Sequence, residues 1–187
     1  MFSIEKITEL AHYIVAWAVR EGDLAVDATA GNGHDTIFLA GKVGLKGHVY
    51  SFDVQQEALD HTLIRLEQQQ LEKQVTLIRE GHEQMQRYIE GPVIAVMYNL
   101  GYLPGGNRRI TTKHDTTIIS LKQALQILAP RGIITMVLYP GHPEGNDEKK
   151  HLAAFCKELD PEHYTVLNSQ LFNRFNKPPE LIVVQRK

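Results

Sequence analysis

Short apolar runs alternate with longer amphipathic segments along the chain. Five of the apolar runs are rich in β-branched side chains, as is typical of strands buried in a parallel sheet. They are predicted as strands at residues 24–28, 48–53, 75–79, 93–98 and 133–139.

The amphipathic segments have apolar residues three and four positions apart, which predicts helices. They cover residues 4–20, 34–41, 55–70, about 116–128 (capped by Thr116 or Thr117) and 147–159. Two further strands are predicted at 164–171 and 181–185, with a hairpin loop at 173–179 between them. This alternation predicts an α/β, Rossmann-like fold, with a seven-stranded, mostly parallel sheet and helices on both faces. We expect one domain over residues 1–187, without internal repeats.

Composition and charge argue against several classes of protein. The 187 residues are 43% hydrophobic and carry a net charge of −2, so only a local basic patch could attract a nucleic acid. A single cysteine excludes a disulfide framework and fits a reducing cytoplasm. We expect no membrane span, because no stretch approaches eighteen consecutive apolar residues. We also expect no signal peptide, because the N-terminus carries Glu5 and Glu9 and lacks the pattern of one.

The first predicted strand runs directly into a glycine turn. Asp27 ends the strand, and Gly31 and Gly33 precede a helix that begins near His34. The glycines allow a sharp turn and a close ligand approach, and the helix N-terminus offers free N–H groups. A dinucleotide fingerprint would need a third glycine where the chain has Thr36, and a pyrophosphate would be repelled by Asp27. A ligand with an amino group and a sulfonium fits this turn better.

A second acid, Asp53, ends the second predicted strand, twenty residues after Gly33. An acid in this position can accept hydrogen bonds from both ribose hydroxyls of an adenosine. The alternative is an N-cap for the helix that begins near Gln55, and the two roles are compatible. Strand three ends in Gly81-His82. His82 either bonds the edge of an adenine or caps a surface segment.

The loop after strand four holds three glycines and a proline, and loops at this end of a central strand bind substrates in α/β folds. Carbonyl groups at Asn99 can hold an exocyclic amine and favour the positive charge that develops on it. Tyr102 is placed to stack on a base. The alternative is that Asn99 and Gly101 are plain turn residues. The densest positive cluster follows and is the candidate phosphate contact: Arg108, Arg109, Lys113 and His114.

After strand five, residues 140–146 form a second turn-rich loop. Its His142 either orients the substrate, accepts the proton of an amine, or has no role. The nine histidines do not have the spacing of a metal site, so we expect no metal.

Three blocks, at residues 27–36, 98–106 and 139–142, carry a resemblance to known proteins. Asp27-x-x-x-Gly31-x-Gly33 resembles motif I of the class I S-adenosylmethionine (SAM) methyltransferases. The segment 99–102 resembles the Asn-Pro-Pro-Tyr motif of methyltransferases that act on exocyclic amines, although Leu and Gly replace the two prolines. Over nearly its whole length the chain is similar to small bacterial proteins labelled "putative rRNA methylase". These resemble the tRNA 5-(aminomethyl)-2-thiouridine methyltransferases of the MnmM or YtqB type.

The resemblance implies methyl transfer from SAM to the primary amine of a modified wobble uridine in the tRNA anticodon stem-loop, leaving S-adenosylhomocysteine. The positions implied for the cofactor are Asp27, Thr29, Gly31, Asn32, Gly33, Asp35, Thr36, Asp53, Gln55, Gly81, His82 and Asn99. Those implied for catalysis are Asn99, Tyr102 and His142. The positions predicted to contact the RNA are Tyr102, Arg108, Arg109, Lys113, His114 and Tyr139.

Several alternatives stay open. Methylation of a ring carbon usually needs a cysteine nucleophile, and Cys156 is expected in the core instead. An rRNA base, a small-molecule amine and, in another class, an NAD-dependent oxidation remain alternatives, as does an RNA-binding module without catalysis. The oligomeric state also stays open, a homodimer included.

Overall fold

The computed structural model describes residues 3, 5–103, 105 and 110–187. Arg108 and Arg109 of the predicted phosphate contact lie outside the described residues. Five α-helices and seven β-strands follow in the order α1 Ile7–Ala18, β1 Leu24–Asp27, α2 His34–Val43, β2 His48–Phe52, α3 Gln56–Gln68, β3 Val75–Ile78, β4 Val93–Asn99, α4 His114–Ile127, β5 Leu128–Leu138, α5 Pro143–Lys157, β6 Tyr164–Ser169 and β7 Glu180–Arg186. Short 3₁₀ helices cover Glu72–Gln74 and His82–Arg87.

The strands form one sheet in the order β3-β2-β1-β4-β5-β7-β6. The first five strands are parallel to one another, and β7 is antiparallel to both β5 and β6. The predicted α/β fold with a seven-stranded, mostly parallel sheet is confirmed. The strand order reverses beside β1, so the carboxyl ends of β1 and β4 lie at the point where such folds bind ligands.

Both faces of the sheet are buried. One face packs against α1, α2 and α3 through side chains such as Val15, Leu39 and Leu66. The other packs against α4, α5 and the second 3₁₀ helix through Met85 and Leu121, among others. Burial on both faces explains why the central strands are nearly continuous apolar runs. Among the helices of the described residues, none is long and apolar enough to cross a membrane.

Some predicted boundaries were wrong. Helix α5 begins at Pro143, whereas the sequence suggested a loop up to residue 146. Proline is tolerated in the first helical turn, where its missing N–H is not needed, so this turn-like segment is a helix start. Strand β5 begins at Leu128 and contains a bulge, with Arg131 in the left-handed region (φ 64°). Helix α4 begins at His114, and Lys113 precedes it without a side-chain cap.

Candidate active site at the carboxyl edge of the sheet

The buried Asp27 holds the glycine turn from below. Its Oδ1 accepts a hydrogen bond from the Thr29 N–H (3.0 Å), and its Oδ2 accepts one from the Thr36 hydroxyl (2.6 Å). Burial, then the Asp35 carboxylate, raises the pKa of Asp27 to about 7. Because Asp27 has no exposed surface, its contacts are with the turn itself. It thus shapes the turn and places an ionisable group directly beneath it.

The glycine turn itself has the backbone that glycine favours. Gly31 and Gly33 have φ angles of 50° and 80°, in the left-handed region. A Cβ atom at Gly33 would lie 3.1 Å from the Thr62 Cα atom, so α3 packs directly against the turn. Gly33 also immediately precedes α2, whose first N–H groups therefore face the same edge of the sheet.

Asp53 connects the end of β2 to this turn. Its Oδ2 accepts a hydrogen bond from the Gly31 N–H (2.9 Å), and its Oδ1 accepts one from the Gln55 N–H (2.9 Å). A carboxylate has about four lone-pair sites, so two remain for hydroxyl donors. The contact with the backbone at the start of α3 and a contact with ribose can therefore coexist.

His82 lies behind the turn, and its ring is buried. Its Nδ1 lies 3.0 Å from the Ala28 carbonyl oxygen and must donate to it, since a carbonyl only accepts. Burial lowers the pKa of His82, which favours the neutral ring. The neutral ring then has a bare Nε2 lone pair, and this buried atom has no hydrogen-bond partner among the described residues. The surface-cap interpretation of His82 is wrong; an unused acceptor suited to an amino group remains.

Asn99 ends β4 beside the glycine turn, and its backbone N–H donates to the Thr29 hydroxyl oxygen (2.7 Å). Its side chain bonds the Tyr139 hydroxyl, which follows β5. Burial, then the Asp35 carboxylate, raises the pKa of Tyr139, and the Asn99 hydrogen bond opposes this rise. The Asn99 side chain and the Tyr139 hydroxyl therefore lie together, at the ends of β4 and β5.

A histidine that the sequence analysis missed completes this side of the edge. His12 of α1 bonds the Asp35 carboxylate (2.5 Å) and stacks on the Phe38 ring, with 4.1 Å between the ring centroids. Nothing in the local pattern of α1 predicts this pairing, because the partners are 23 positions apart along the chain. Helix α1 is thereby fixed to the first turns of α2.

His142 follows β5 and directly precedes α5. It is the N-cap of α5, since its Nδ1 accepts the Gly145 N–H (3.1 Å). Its Nδ1 also lies 3.3 Å from the Glu144 carboxylate, and its Nε2 is a buried atom beside Gly145 without a hydrogen-bond partner among the described residues. The Tyr102 ring lies 5.9 Å from the His142 ring. His142 is therefore fixed at the start of α5, beside Tyr102.

A buried carboxylate, also missed from the sequence, positions the loop after β4. Glu148 of α5 accepts hydrogen bonds from the hydroxyls of Thr112 and Thr117, both at 2.7 Å. Burial raises its pKa, and these two hydrogen bonds oppose the rise. Tyr102 and Thr111 pair as an antiparallel bridge at the base of the same loop. The substrate loop is therefore fixed at its base to α4 and α5.

Two predicted RNA contacts, Lys113 and His114, have different surroundings in the structure. Lys113 is exposed just before α4. His114 instead stacks on His151, and its Nδ1 bonds the Asp147 carboxylate (2.9 Å). Ligand atoms of His114, Asp147 and His151 lie within 4.8 Å of one another, a grouping that the sequence spacing did not suggest. The hydrogen bond to the Asp147 carboxylate already explains the position of the His114 ring. Cys156 is buried in the core as expected, and burial raises the pKa of its thiol to about 12.

A sheet of this strand order, with a glycine turn after β1 and an acid after β2, can now be compared with known proteins. The family model described as "Putative rRNA methylase" matches residues 49–185, which is most of the chain. The chain belongs to this family. The resemblance of the chain to the putative rRNA methylase proteins is therefore confirmed.

Two solved structures share the whole architecture with this member of the rRNA methylase family. A putative rRNA-methylase from Clostridium thermocellum is 41% identical, with full coverage of both chains and a TM-score of 0.97. SMU.1697c from Streptococcus mutans, a putative methyltransferase solved in complex with SAH, is 35% identical, with full coverage of both chains and a TM-score of 0.90.

A curated relative is similar at the level of sequence. The chloroplastic tRNA (mnm(5)s(2)U34)-methyltransferase of Arabidopsis thaliana is 36% identical over the whole of this chain and 72% of its own length.

Proposed function

We propose that the protein is a tRNA methyltransferase that transfers a methyl group from SAM to the aminomethyl group of a 2-thiouridine at the wobble position. The coarser statement, a SAM-dependent methyltransferase, follows from the family and from the fold shared with the SAH-bound relative. The observation that carries the finer proposal is the full-length similarity to the Arabidopsis enzyme named for this nucleoside. The arrangement of the carboxyl edge supports it.

The cofactor is SAM, and the glycine turn is its proposed binding site. The two free lone-pair sites of Asp53 suit the ribose hydroxyls, and the bare Nε2 atom of His82 suits the adenine amino group. The methionine part of SAM carries a carboxylate and an ammonium group. The N–H groups at the start of α2 suit the carboxylate, and the nearby acidic side chains suit the ammonium group. Asp27 is proposed to act indirectly, through the hydrogen bonds to Thr29 and Thr36 that shape the turn and through the charge of its carboxyl group.

The acceptor amine is proposed to lie above Asn99. The neutral amine nitrogen attacks the methyl carbon, the C–S bond breaks, and its electron pair stays on sulfur to give SAH. The nitrogen becomes positively charged and then releases one proton. The side-chain carbonyl of Asn99 stabilises this developing charge, while Tyr102 and His142 orient the 2-thiouracil ring.

Cation contacts with the RNA remain a proposal from the sequence. Arg108, Arg109 and Lys113 follow the substrate loop, and of these only Lys113 belongs to the described residues. Tyr139 is proposed to act through its bond to Asn99. An rRNA base is the second candidate, because the family description names rRNA. In addition, an rRNA small subunit methyltransferase H of Streptococcus mutans is 32% identical over 51% of this chain and 32% of its own length.

The deciding experiment compares acceptors directly. The purified protein and labelled SAM are incubated with tRNA carrying unmethylated 5-aminomethyl-2-thiouridine and, separately, with ribosomal subunits lacking base methylation. Nucleoside mass spectrometry of tRNA and rRNA from a strain without the gene then shows which methylated nucleoside is missing. Label in tRNA alone, with loss of the methylaminomethyl nucleoside, supports the proposal. Label only in rRNA replaces it with the second candidate.

A further inference from the structure

Two phenylalanines in the β6–β7 loop, residues 170–179, are almost entirely exposed. Phe172 is 99% exposed and Phe175 is 94% exposed. Neither ring contributes to either core cluster. Exposed aromatic rings that lie close together often mark an interaction surface, because burying them on binding is favourable.

The strand register places this loop at the carboxyl edge of the sheet. Ser169 at the end of β6 pairs with Leu181, and Glu180 at the start of β7 pairs with Leu138. Leu138 is the last residue of β5, directly before Tyr139. The loop therefore leaves the sheet at the same edge as the glycine turn and the loop after β4.

The loop is fixed at its base while its aromatic rings face water. Leu171 packs against the core. The Arg174 N–H donates to the Leu171 carbonyl oxygen (3.0 Å), so Phe172 lies in a tight turn. The Arg174 guanidinium pairs with Glu5, which precedes α1. A loop fixed in this way loses little conformational freedom when it binds.

The base of the loop is also joined to α5. Gln170 and Lys149 both donate hydrogen bonds to the Glu180 carboxylate, at 2.9 Å and 2.5 Å. Lys149 lies on the helix that His142 caps. The loop and the proposed substrate site thus share one rigid element.

The side chains of the loop have the chemistry that binds unpaired nucleotides. The two phenylalanines alternate with exposed amides and cations in the sequence Phe172-Asn173-Arg174-Phe175-Asn176-Lys177. Aromatic rings stack on bases, cations attract phosphates, and amides bond base edges. A second copy of the chain would be better matched by a continuous apolar face, which the intervening polar residues interrupt.

We propose that the β6–β7 loop binds unpaired nucleotides of the RNA substrate, with Phe172 and Phe175 stacking on bases and Lys177 contacting a phosphate. The inference rests on the proposed function, since it assigns an RNA contact to the same site. It adds residues that neither the motifs nor the spacing of the sequence suggested.

The test uses the double variant Phe172→Ala/Phe175→Ala in the full chain. Its affinity for a tRNA anticodon stem-loop is measured by fluorescence anisotropy, and the KM and kcat of methyl transfer to tRNA are measured separately. We expect the affinity to fall, and the KM to rise, about tenfold or more, because each stacked base contributes appreciably to binding. SAM affinity and kcat at saturating tRNA should stay near wild type.

Two further variants serve as controls. Trp17→Ala removes an aromatic ring that is 87% exposed, but Trp17 lies at the end of α1 that leads to the start of β1, at the opposite edge of the sheet. It should bind RNA like the wild type. Phe172→Tyr/Phe175→Tyr keeps two stacking rings and should also retain affinity. Lys177→Gln should reduce the salt dependence of RNA binding by about one phosphate contact.

Three outcomes decide between the interpretations. A wild-type protein that methylates tRNA, beside a double alanine variant of unchanged KM and RNA affinity, overturns this inference alone. A double variant that loses only a dimer mass in light scattering, with RNA binding intact, also overturns it, since the rings then join two copies. A wild-type protein that binds the stem-loop through the rings but transfers no methyl group to tRNA supports the loop contact and contradicts the proposed function.

Discussion

The backbone N–H of Asn99 donates to the Thr29 hydroxyl oxygen over 2.7 Å, and this bond joins the two loops of the candidate site. Thr29 belongs to the glycine turn, and Asn99 ends the neighbouring strand β4. The turn proposed to hold SAM and the loop proposed to hold the acceptor are therefore positioned by one contact. A displacement of either loop would change the distance between methyl donor and acceptor, on which the transfer rate depends strongly.

The glycine turn gives the first prediction. Gly33→Ala should destabilise the fold by about 1–3 kcal/mol, because alanine is strained at φ 80° and its Cβ would crowd Thr62. Gly41→Ala, inside α2, is the matched control. A Cβ there meets no heavy atom of the described chain within 4 Å, so the variant should gain about 0.5–1 kcal/mol. Chemical denaturation measures both, and equal stabilities would contradict the described turn.

Asp53→Ala should weaken SAM binding by about 1–3 kcal/mol, because the hydrogen bonds to the ribose hydroxyls are lost. The variant also loses the acceptor for the Gly31 N–H, so the melting temperature without SAM must be compared first. Asp53→Asn keeps one oxygen acceptor, so its SAM affinity should lie between those of the wild type and of Asp53→Ala. Calorimetry that gives the alanine variant wild-type affinity would exclude a ribose contact by Asp53.

The raised pKa of Asp27 predicts a pH dependence of stability. Burial and the Asp35 carboxylate raise this pKa from 3.8 to about 7 in the folded protein. Between these two values the folded state binds more protons than the unfolded state, so the contribution of Asp27 to stability falls as the pH rises. Above about pH 7 both states are ionised and the loss is complete.

Asp27→Asn removes this titration. The melting temperature of the variant relative to wild type, measured without SAM, should therefore rise from about pH 4 to about pH 7 and then level off. Gly41→Ala changes no titratable group and should show a constant difference. If the difference for Asp27→Asn does not depend on pH, the carboxyl is not held in the protonated form as described.

The parts of the fold that repeat along the chain could be predicted, and the contacts between distant elements could not. Apolar strands ending in Asp27, Asp53 and Asn99 follow from periodicity, because the carboxyl ends of parallel strands share one edge. The pairing of His12 with Asp35 depends on how α1 packs, which no local spacing encodes. Pro143 illustrates a different difficulty, since the same residues form turns and open helices.

The site differs from the sequence interpretation in the hydrogen-bond partners of its side chains. Sequence reasoning left His142 with either an orienting or a proton-accepting role. In the structure its Nδ1 caps α5 and lies near the Glu144 carboxylate, so the start of that helix sets the position of the ring. Likewise, the buried Glu148 is invisible to motif analysis, because its partners come from the loop before α4 and from α4 itself.

Asn99→Ala gives the sharpest prediction for the proposed chemistry. The amine gains positive charge as the methyl group transfers, and the side-chain carbonyl of Asn99 is the acceptor proposed to stabilise that charge. Loss of one preorganised group of this kind lowers a rate by about a hundredfold or more. The backbone bond to Thr29 does not depend on the side chain, so SAM binding should stay near normal.

The measurement is single-turnover methyl transfer to tRNA carrying the unmethylated aminomethyl nucleoside, with SAM affinity determined on the same preparation. Tyr139→Phe is the matched comparison, since it removes the hydroxyl that Asn99 bonds and leaves the Asn99 carbonyl in place. Its rate should fall less than that of Asn99→Ala, because only the orientation of the amide is loosened. If Asn99→Ala transfers at the wild-type rate with unchanged SAM affinity, the amine is held by other groups. In that case, the likeness of residues 99–102 to the Asn-Pro-Pro-Tyr motif is one of sequence alone.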